Sequence, residues 1–273
     1  MGKENVEPMN VNNPKRVLCV GDIHGSYLAL KQVLERSNFD YKNDLLITIG
    51  DIVDGWGDSY EVVEELLKIK NRIDIMGNHD NWFRKFLESG VHEMKWGMGG
   101  LSTAKSYARA IGLDLKIQDI STEGEESYMI NFNSGDVTQS HKNFFMRQHH
   151  YYKDQNDNLF IHGGFYRNVK LSDTLPYIFM WNRHLMKEAI SAKITKTKLK
   201  FIEDFNQIFI GHTSTENWGT ISPINADKIW NLDTGAGGGG KLTIMDVNTN
   251  EYWQSDFVSD LYPNDEHNIK NNE

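Results

Sequence analysis

An α/β fold is what this sequence predicts, and three observations carry it. Five short apolar runs, each β-branched or aromatic, break off into turns rich in Gly, Asp, Asn and His, as buried strands do. Stretches with one apolar helical face come after the first two runs. Strand–helix–strand alternation builds sheets covered by helices, with ligands bound beyond the strands' carboxyl ends.

In chain order, Arg16–Val20 (RVLCV) runs into GDIHG, and the stretch SYLALKQVLERSNF places Leu30, Val33 and Leu34 on one helical face. Leu45–Ile49 (LLITI) runs into GDIVDG, and SYEVVEELLKIK does the same with Val62, Val63, Leu66 and Leu67. Ile73–Met76 runs into GNHD, Leu159–Ile161 into HGG, and Ile208–Ile210 into GHT. Residues 188–207 read as a helical insertion or boundary. The segment GAGGGGKL (Gly235–Leu242) satisfies GxGxxG and nearly a phosphate-binding loop, with Leu242 where Ser or Thr is needed. Both motifs require a helix next. The adjoining KLTIMDVNTNEYWQSD instead alternates β-branched residues and turns at Asn248-Thr249-Asn250, so the glycines read as a tight strand connection leading into a hairpin. Polar residues 1–14 and 263–273 are expected to be loose tails around one domain, residues 15–262, with no Pro- or Ser-rich linker and no internal repeat.

Composition narrows the function. The chain has 273 residues, seven Trp, thirteen Phe and eleven Tyr, too many large apolar groups for a disordered protein. No stretch approaches the ~18 apolar residues of a membrane span. The N-terminus lacks an apolar secretory segment, and Val6 breaks the myristoylation pattern that Met-Gly begins. A single cysteine, Cys19, excludes an internal disulfide and a cysteine zinc site. It reads as a small buried strand residue. A formal charge of −9 argues against non-specific nucleic-acid binding. A soluble, cytoplasmic protein is expected.

The five turns place Asp22, His24, Asp51, Asp54, Asn78, His79, Asp80, His162 and His212 just past strand ends. Taken singly, each turn is a helix cap or an Asx-turn. Together they form a set of oxygen donors and imidazoles without a thiolate, which suits Mn²⁺, Fe or Zn²⁺. Converging carboxylates repel one another, and two divalent cations would neutralise them. His92, His141, His149, His150, His184 and His267 fit no motif and are expected to be structural or exposed.

GDIHG, GDIVDG, GNHD, HGG and GHT, in that order between Arg16 and Trp253, resemble the calcineurin-like metallophosphoesterase superfamily and its phosphoprotein-phosphatase branch. That branch includes Ser/Thr phosphatases and symmetrical diadenosine tetraphosphatases. Trp96–Tyr107, Trp181-Asn182-Arg183 and Leu232–Ala236 are similar to segments of its bacterial and bacteriophage members. The resemblance implies a central β-sandwich of mixed sheets flanked by helices, with a metal site at strand carboxyl ends. It implies two divalent ions, manganese first, with iron and zinc as alternatives. Asp22, His24 and His212 would hold the first ion, Asn78 and His162 the second, and Asp51 would bridge them. His79 would protonate the leaving group, with Asp54 orienting it, and Arg183 would bind the substrate phosphate. One position departs from the pattern: Gly55 stands where GDxVDRG has its phosphate-gripping Arg. Beside it, Trp56 is expected to be a buried or rim residue, with stacking on a flat group such as a nucleobase as the alternative. The implied activity is hydrolysis of phosphomonoesters by attack of a metal-bridging hydroxide, on phosphoserine or phosphothreonine proteins or on small phosphoesters. The alternatives are a dinucleoside polyphosphate hydrolase or phosphodiesterase, and a metal- or phosphate-binding module without turnover.

Overall fold

The computed structural model describes residues 14–265, so the expected tails lie almost wholly outside the described residues. Twelve strands and eight α-helices occur in it. The first half holds β1 (Val17–Val20), α1 (Tyr27–Arg36), β2 (Leu45–Thr48), α2 (Ser59–Leu67), β3 (Arg72–Asp74), α3 (Asn78–Ser89), α4 (Gly100–Ile111), β4 (Ile117–Asp119), β5 (Tyr128–Ile130) and α5 (Gln139–Met146). The second half holds β6 (Tyr151–Lys153), β7 (Leu159–Ile161), α6 (Pro176–Trp181), α7 (His184–Thr195), β8 (Ile208–Ile210), β9 (Ile224–Ala226), β10 (Ile229–Asn231), β11 (Thr243–Asp246), β12 (Tyr252–Gln254) and α8 (Val258–Leu261).

Two five-stranded mixed sheets form the centre, in the orders β12-β11-β1-β2-β3 and β6-β7-β8-β10-β9, and β4 and β5 pair separately. The strands that precede the motif turns are parallel: β1 with β2, β2 with β3, and β7 with β8. Parallel pairing sends their carboxyl ends to one edge. The runs are apolar throughout because both faces of each strand are covered. Alternation divides them cleanly. Leu18, Val20 and Leu46 join the cluster that includes Leu30 and Val33 of α1 and Val62 and Leu66 of α2. Cys19 and Ile47 face inward and join Phe160, Phe209 and Met245 in the layer between the sheets. The outer face of the second sheet packs Ile161, Ile208 and Ile210 against Leu185, Met186 and Ala189 of α7.

Three sequence expectations change or gain definition here. The helix expected within 188–207 is α7, which begins earlier and ends at Thr195; it is a covering layer of the second sheet rather than an insertion or boundary. The segment after Gly235–Leu242 is the antiparallel hairpin β11–β12, with the glycines wound into a short 3₁₀ turn, Ala236–Gly238. Trp56 is fully buried; its Nε1–H donates to the Ala236 carbonyl at 2.8 Å and its ring lies 5.3 Å from that of Tyr262. It therefore offers no face to a ligand. Cys19 is buried and unpaired. Among the described residues no helix is long and apolar enough to cross a membrane.

Phe160 and Phe209, partners on the adjacent strands β7 and β8, stack with ring centroids 5.0 Å apart and planes 8° from parallel, on the face of the second sheet that packs against the first. Both rings are fully buried. Phe209→Ala should therefore lower unfolding free energy by about 3–5 kcal/mol, read from urea denaturation midpoints at unchanged m-value. A loss under about 1 kcal/mol would mean that the layer collapses into the gap.

Candidate active site

All five motif turns converge at the carboxyl ends of β1, β2, β3, β7 and β8. Asp51 is at the centre and is 2% exposed. Its Oδ2 lies 3.5 Å from His24 Nε2 and 3.3 Å from His162 Nε2, and its Oδ1 accepts the His79 backbone N–H at 3.0 Å. His162 Nε2 also lies 3.2 Å from Asn78 Oδ1. Asp22 Oδ2 accepts the backbone N–H of His212 at 2.9 Å.

Two overlapping groups of potential ligand atoms share Asp51: His24, Asp51 and His79 in one, and Asp51, His162 and His212 in the other. The resemblance assigns His212 to the ion of Asp22 and His24. Its imidazole lies beside that of His162, ring centroids 5.0 Å apart, and its backbone N–H donates to Asp22.

The donor set fits divalent cations. Asp22 Oδ1 and His212 Nε2 are buried without a hydrogen-bond partner. His24 and His162 each direct Nδ1 to a backbone carbonyl, of Asp54 at 2.7 Å and of Ile49 at 2.8 Å. That fixes Nδ1–H as donor and turns Nε2 inward, the usual arrangement of a metal-binding imidazole. Burial pushes His24 down to about 4 despite the pull of Asp51. Burial, with the charges of His162 and Arg183, pushes His212 down to about 2. Both are thus neutral, as ligation requires. His162 is driven up to about 10: burial disfavours its charge, but the attraction of Asp51 and Asp22 overcomes it. The carboxylates draw positive charge to this point. Two glycines make room for them. A Cβ on Gly77 would lie 2.0 Å from Asp51 Oδ1, and one on Gly211 would lie 1.9 Å from Asp22 Oδ1.

His24, Asp51, Asp54 and His212 have φ of 49°, 50°, 66° and 65°. Non-glycine residues rarely adopt this left-handed region, and its use concentrates at functional sites. His79 Nδ1 lies 3.1 Å from Asp54 Oδ2. Burial lowers the basicity of His79, but Asp51 and Asp54 outweigh it and its pKa is raised. Arg183 donates through Nη1 to the His212 carbonyl and to Thr213 Oγ1, so its guanidinium sits beside the cluster.

Further residues brace the cluster. Thr103 Oγ1 donates to Asp54 Oδ1 at 2.7 Å and accepts the Asp54 backbone N–H at 2.9 Å. Asp80 accepts the backbone N–H groups of Ile52 and Gly77, tying two motif turns together. Asp233, on the turn after β10, is pushed up to about 6 by burial despite the backbone N–H of Gly235 that it accepts. Trp82 lies edge-on to His79 at 4.7 Å. The Leu232–Ala236 resemblance points to the Asp233 turn and the Trp96–Tyr107 resemblance contains Thr103, whereas nothing in the sequence marks Trp82. Gly55 has φ of 124°, and a Cβ there would lie 3.1 Å from the His24 carbonyl oxygen. A side chain is strained at this position, so restoring the family's Arg is not a simple substitution. The glycine connection lies against the same cluster, since a Cβ on Gly237 would lie 2.6 Å from His24 Cδ2.

Comparison with known proteins places this geometry. A relative named symmetrical bis(5'-nucleosyl)-tetraphosphatase, from Buchnera aphidicola subsp. Acyrthosiphon pisum (strain Tuc7), is 36% identical over 96 residues, 28% of this chain and 35% of the relative. One of the same name from Coxiella burnetii (strain Dugway 5J108-111) is 32% identical over 74 residues, 27% of this chain and 25% of the relative. The chain thus spans about a third or less of the curated relatives it matches. The fold is shared with a structure titled a putative diadenosine tetraphosphatase, at TM-score 0.60 and 16% identity over 88% of this chain and 94% of that one. It is also shared with a metallophosphoesterase from Sphaerobacter thermophilus, at TM-score 0.52 and 12% identity over 94% and 97% of the two chains. The Calcineurin-like phosphoesterase family model matches residues 15–216, a span that contains all five converging turns, and the chain belongs to that family.

Proposed function

We propose that the protein is a metal-dependent phosphoesterase with a dinuclear centre, and the sharing of Asp51 between two ligand groups is the observation that carries this reading. Asp22, His24 and Asp51 would hold one ion, and Asp51, Asn78, His162 and His212 the other. Ions held there would supply Lewis acidity toward phosphoryl oxygens and an acidified water as nucleophile.

The chain's own groups do the rest. Asp54 keeps His79 charged and oriented through Nδ1, which leaves Nε2–H to protonate a departing oxygen, a contribution of ~10²–10⁴-fold. Thr103 holds Asp54 from behind. Arg183 presents a guanidinium whose Nη1 is committed to the protein, while Nε and Nη2 remain for phosphate oxygens. The His79–Asp54 pair favours an enzyme over a binding module, since a binder needs no general acid.

Phosphomonoesters, including phosphoserine and phosphothreonine, suit a site with one free guanidinium. A second substrate reading, dinucleoside tetraphosphates, is supported by the names of the relatives and by Gly55, which removes the family's other grip on a terminal phosphate. A panel with Mn²⁺, Fe²⁺ or Zn²⁺ separates them: p-nitrophenyl phosphate, its bis-ester, a phosphopeptide and diadenosine tetraphosphate. No metal-dependent hydrolysis of any of these would overturn the reading.

Three variants assign the roles. Asp51→Asn should lose bound metal and activity together, as elemental analysis and turnover would report; two ions at wild-type activity would sink the bridging role. His79→Asn should retain both ions but slow poor leaving groups by ~10²-fold or more, with p-nitrophenyl phosphate less affected. Equal losses on both substrate types would reassign His79 to a metal or structural role. Arg183→Ala should lower kcat/KM for p-nitrophenyl phosphate by ~10²-fold, and for the bis-ester by less, because a diester carries less charge on its non-bridging oxygens. Unchanged monoester kinetics would show that phosphate is held elsewhere.

A further inference from the structure

Trp181 is a large aromatic side chain left 41% exposed beside the metal-ligand cluster. Its ring stands edge to face with the His212 imidazole, centroids 5.6 Å apart at 86°. Its other aromatic neighbour is Trp82 at 5.6 Å, and Trp82 in turn touches His79. Trp181 thus belongs to a continuous aromatic wall that runs from the general-acid candidate to a metal-ligand candidate.

The turn that carries Trp181 is fixed on three sides. The N–H of Gly163, one residue after His162, donates to the Phe179 carbonyl at 2.6 Å, and a Cβ on Gly163 would lie 3.0 Å from the Met180 backbone. Asn182 Oδ1 accepts the backbone N–H groups of His184 and Leu185 at 2.9 and 3.0 Å, capping α7. Arg183 is clamped to the His212 carbonyl. An exposed indole on so rigid a support loses little further freedom on binding a flat partner. A guanidinium two residues away provides for the phosphate that such a partner would carry.

We infer that Trp181 is a specificity-determining platform on which the nucleobase of a nucleotide-bearing substrate stacks while its phosphate sits at the cluster and Arg183. This rests on the phosphoesterase reading above and names its substrate class. Trp56, the sequence's alternative for such a role, is buried and excluded from it. Base–aromatic stacking is sequence-tolerant and contributes about ten-fold or more in affinity, so the platform would select for a base rather than for one particular base.

The test compares AMP with ribose 5-phosphate, which carries the same phosphate without a base. Titration calorimetry on metal-loaded protein, all three forms carrying His79→Asn so that hydrolysis of these poor leaving groups is slowed, should show AMP binding about ten-fold tighter when Trp181 is present. Trp181→Ala should abolish that difference, and Trp181→Phe should restore most of it. Ribose 5-phosphate affinity should stay the same in all three proteins, and an unchanged thermal midpoint would confirm folding. Equal affinities with Trp181 present, or equal weakening of both ligands in Trp181→Ala, would overturn the platform. Binding is read without turnover, so a wild type that hydrolyses nothing would remove the phosphoesterase reading and still leave the platform decided. If turnover is present, Trp181→Ala should raise KM for diadenosine tetraphosphate more than for the phosphopeptide.

Discussion

One buried carboxylate organises this molecule. Asp51 brings together groups from three turns: a backbone N–H from the GNHD turn and imidazoles from GDIHG and HGG. It does so from a left-handed backbone conformation and with no room for a side chain at Gly77 beside it. An anion in such a place is costly unless positive charge faces it. The imidazoles supply part of that charge, and the elevated basicity of His162 shows how strongly the carboxylates demand it. A divalent cation held at Asp51 would satisfy the same demand and would take neutral imidazoles as ligands.

The candidate ligands come from both sheets, and this is why the sandwich matters to the site. Asp22, His24, Asp51 and Asn78 lie just past strands of the first sheet, whereas His162 and His212 lie just past strands of the second. Their separation is therefore set by the layer between the sheets, to which the second sheet contributes the stacked rings of Phe160 and Phe209 and the first sheet Cys19, Ile47 and Met245. Parallel pairing within each sheet aligns the strand ends, and close packing between sheets holds the two rows of ends in register. A metal site built in this way depends on the core: a shift between the sheets would move His162 and His212 away from Asp51 together.

Sequence pattern reveals the strands and most of the cluster because both are written locally. A run bounded by glycine, with Asp, His or Asn immediately beyond, marks a strand and its ligand in fewer than ten residues, and β7 and β8 have the boundaries that pattern assigns. What stays hidden is non-local. Thr103 reaches Asp54 across 49 residues, and Gln148 reaches Asp80 across 68. No spacing rule marks either contact. Which neighbouring imidazole the His212 ring faces is unreadable for the same reason, since a strand-end His does not encode it. The extent of α7 is equally hard to read, because its apolar residues suit a break in the fold as well as the cover of a second sheet.

The departure at Gly55 belongs to the same geometry. The turn after Asp54 crosses the His24 carbonyl closely enough that only glycine is unstrained at φ of 124°, and Trp56 immediately beyond is sealed against Ala236 and Tyr262. Any side chain here would be strained in its backbone and tight against His24. A guanidinium is found instead beside His212. There Arg183 leans on the His212 carbonyl, and its charge is among those that depress the basicity of His212. That side also carries the exposed face of Trp181. Trp56 is sealed while Arg183 and Trp181 stand beside His212, and the proposed stacking of a flat group beyond a phosphate would draw on that asymmetry.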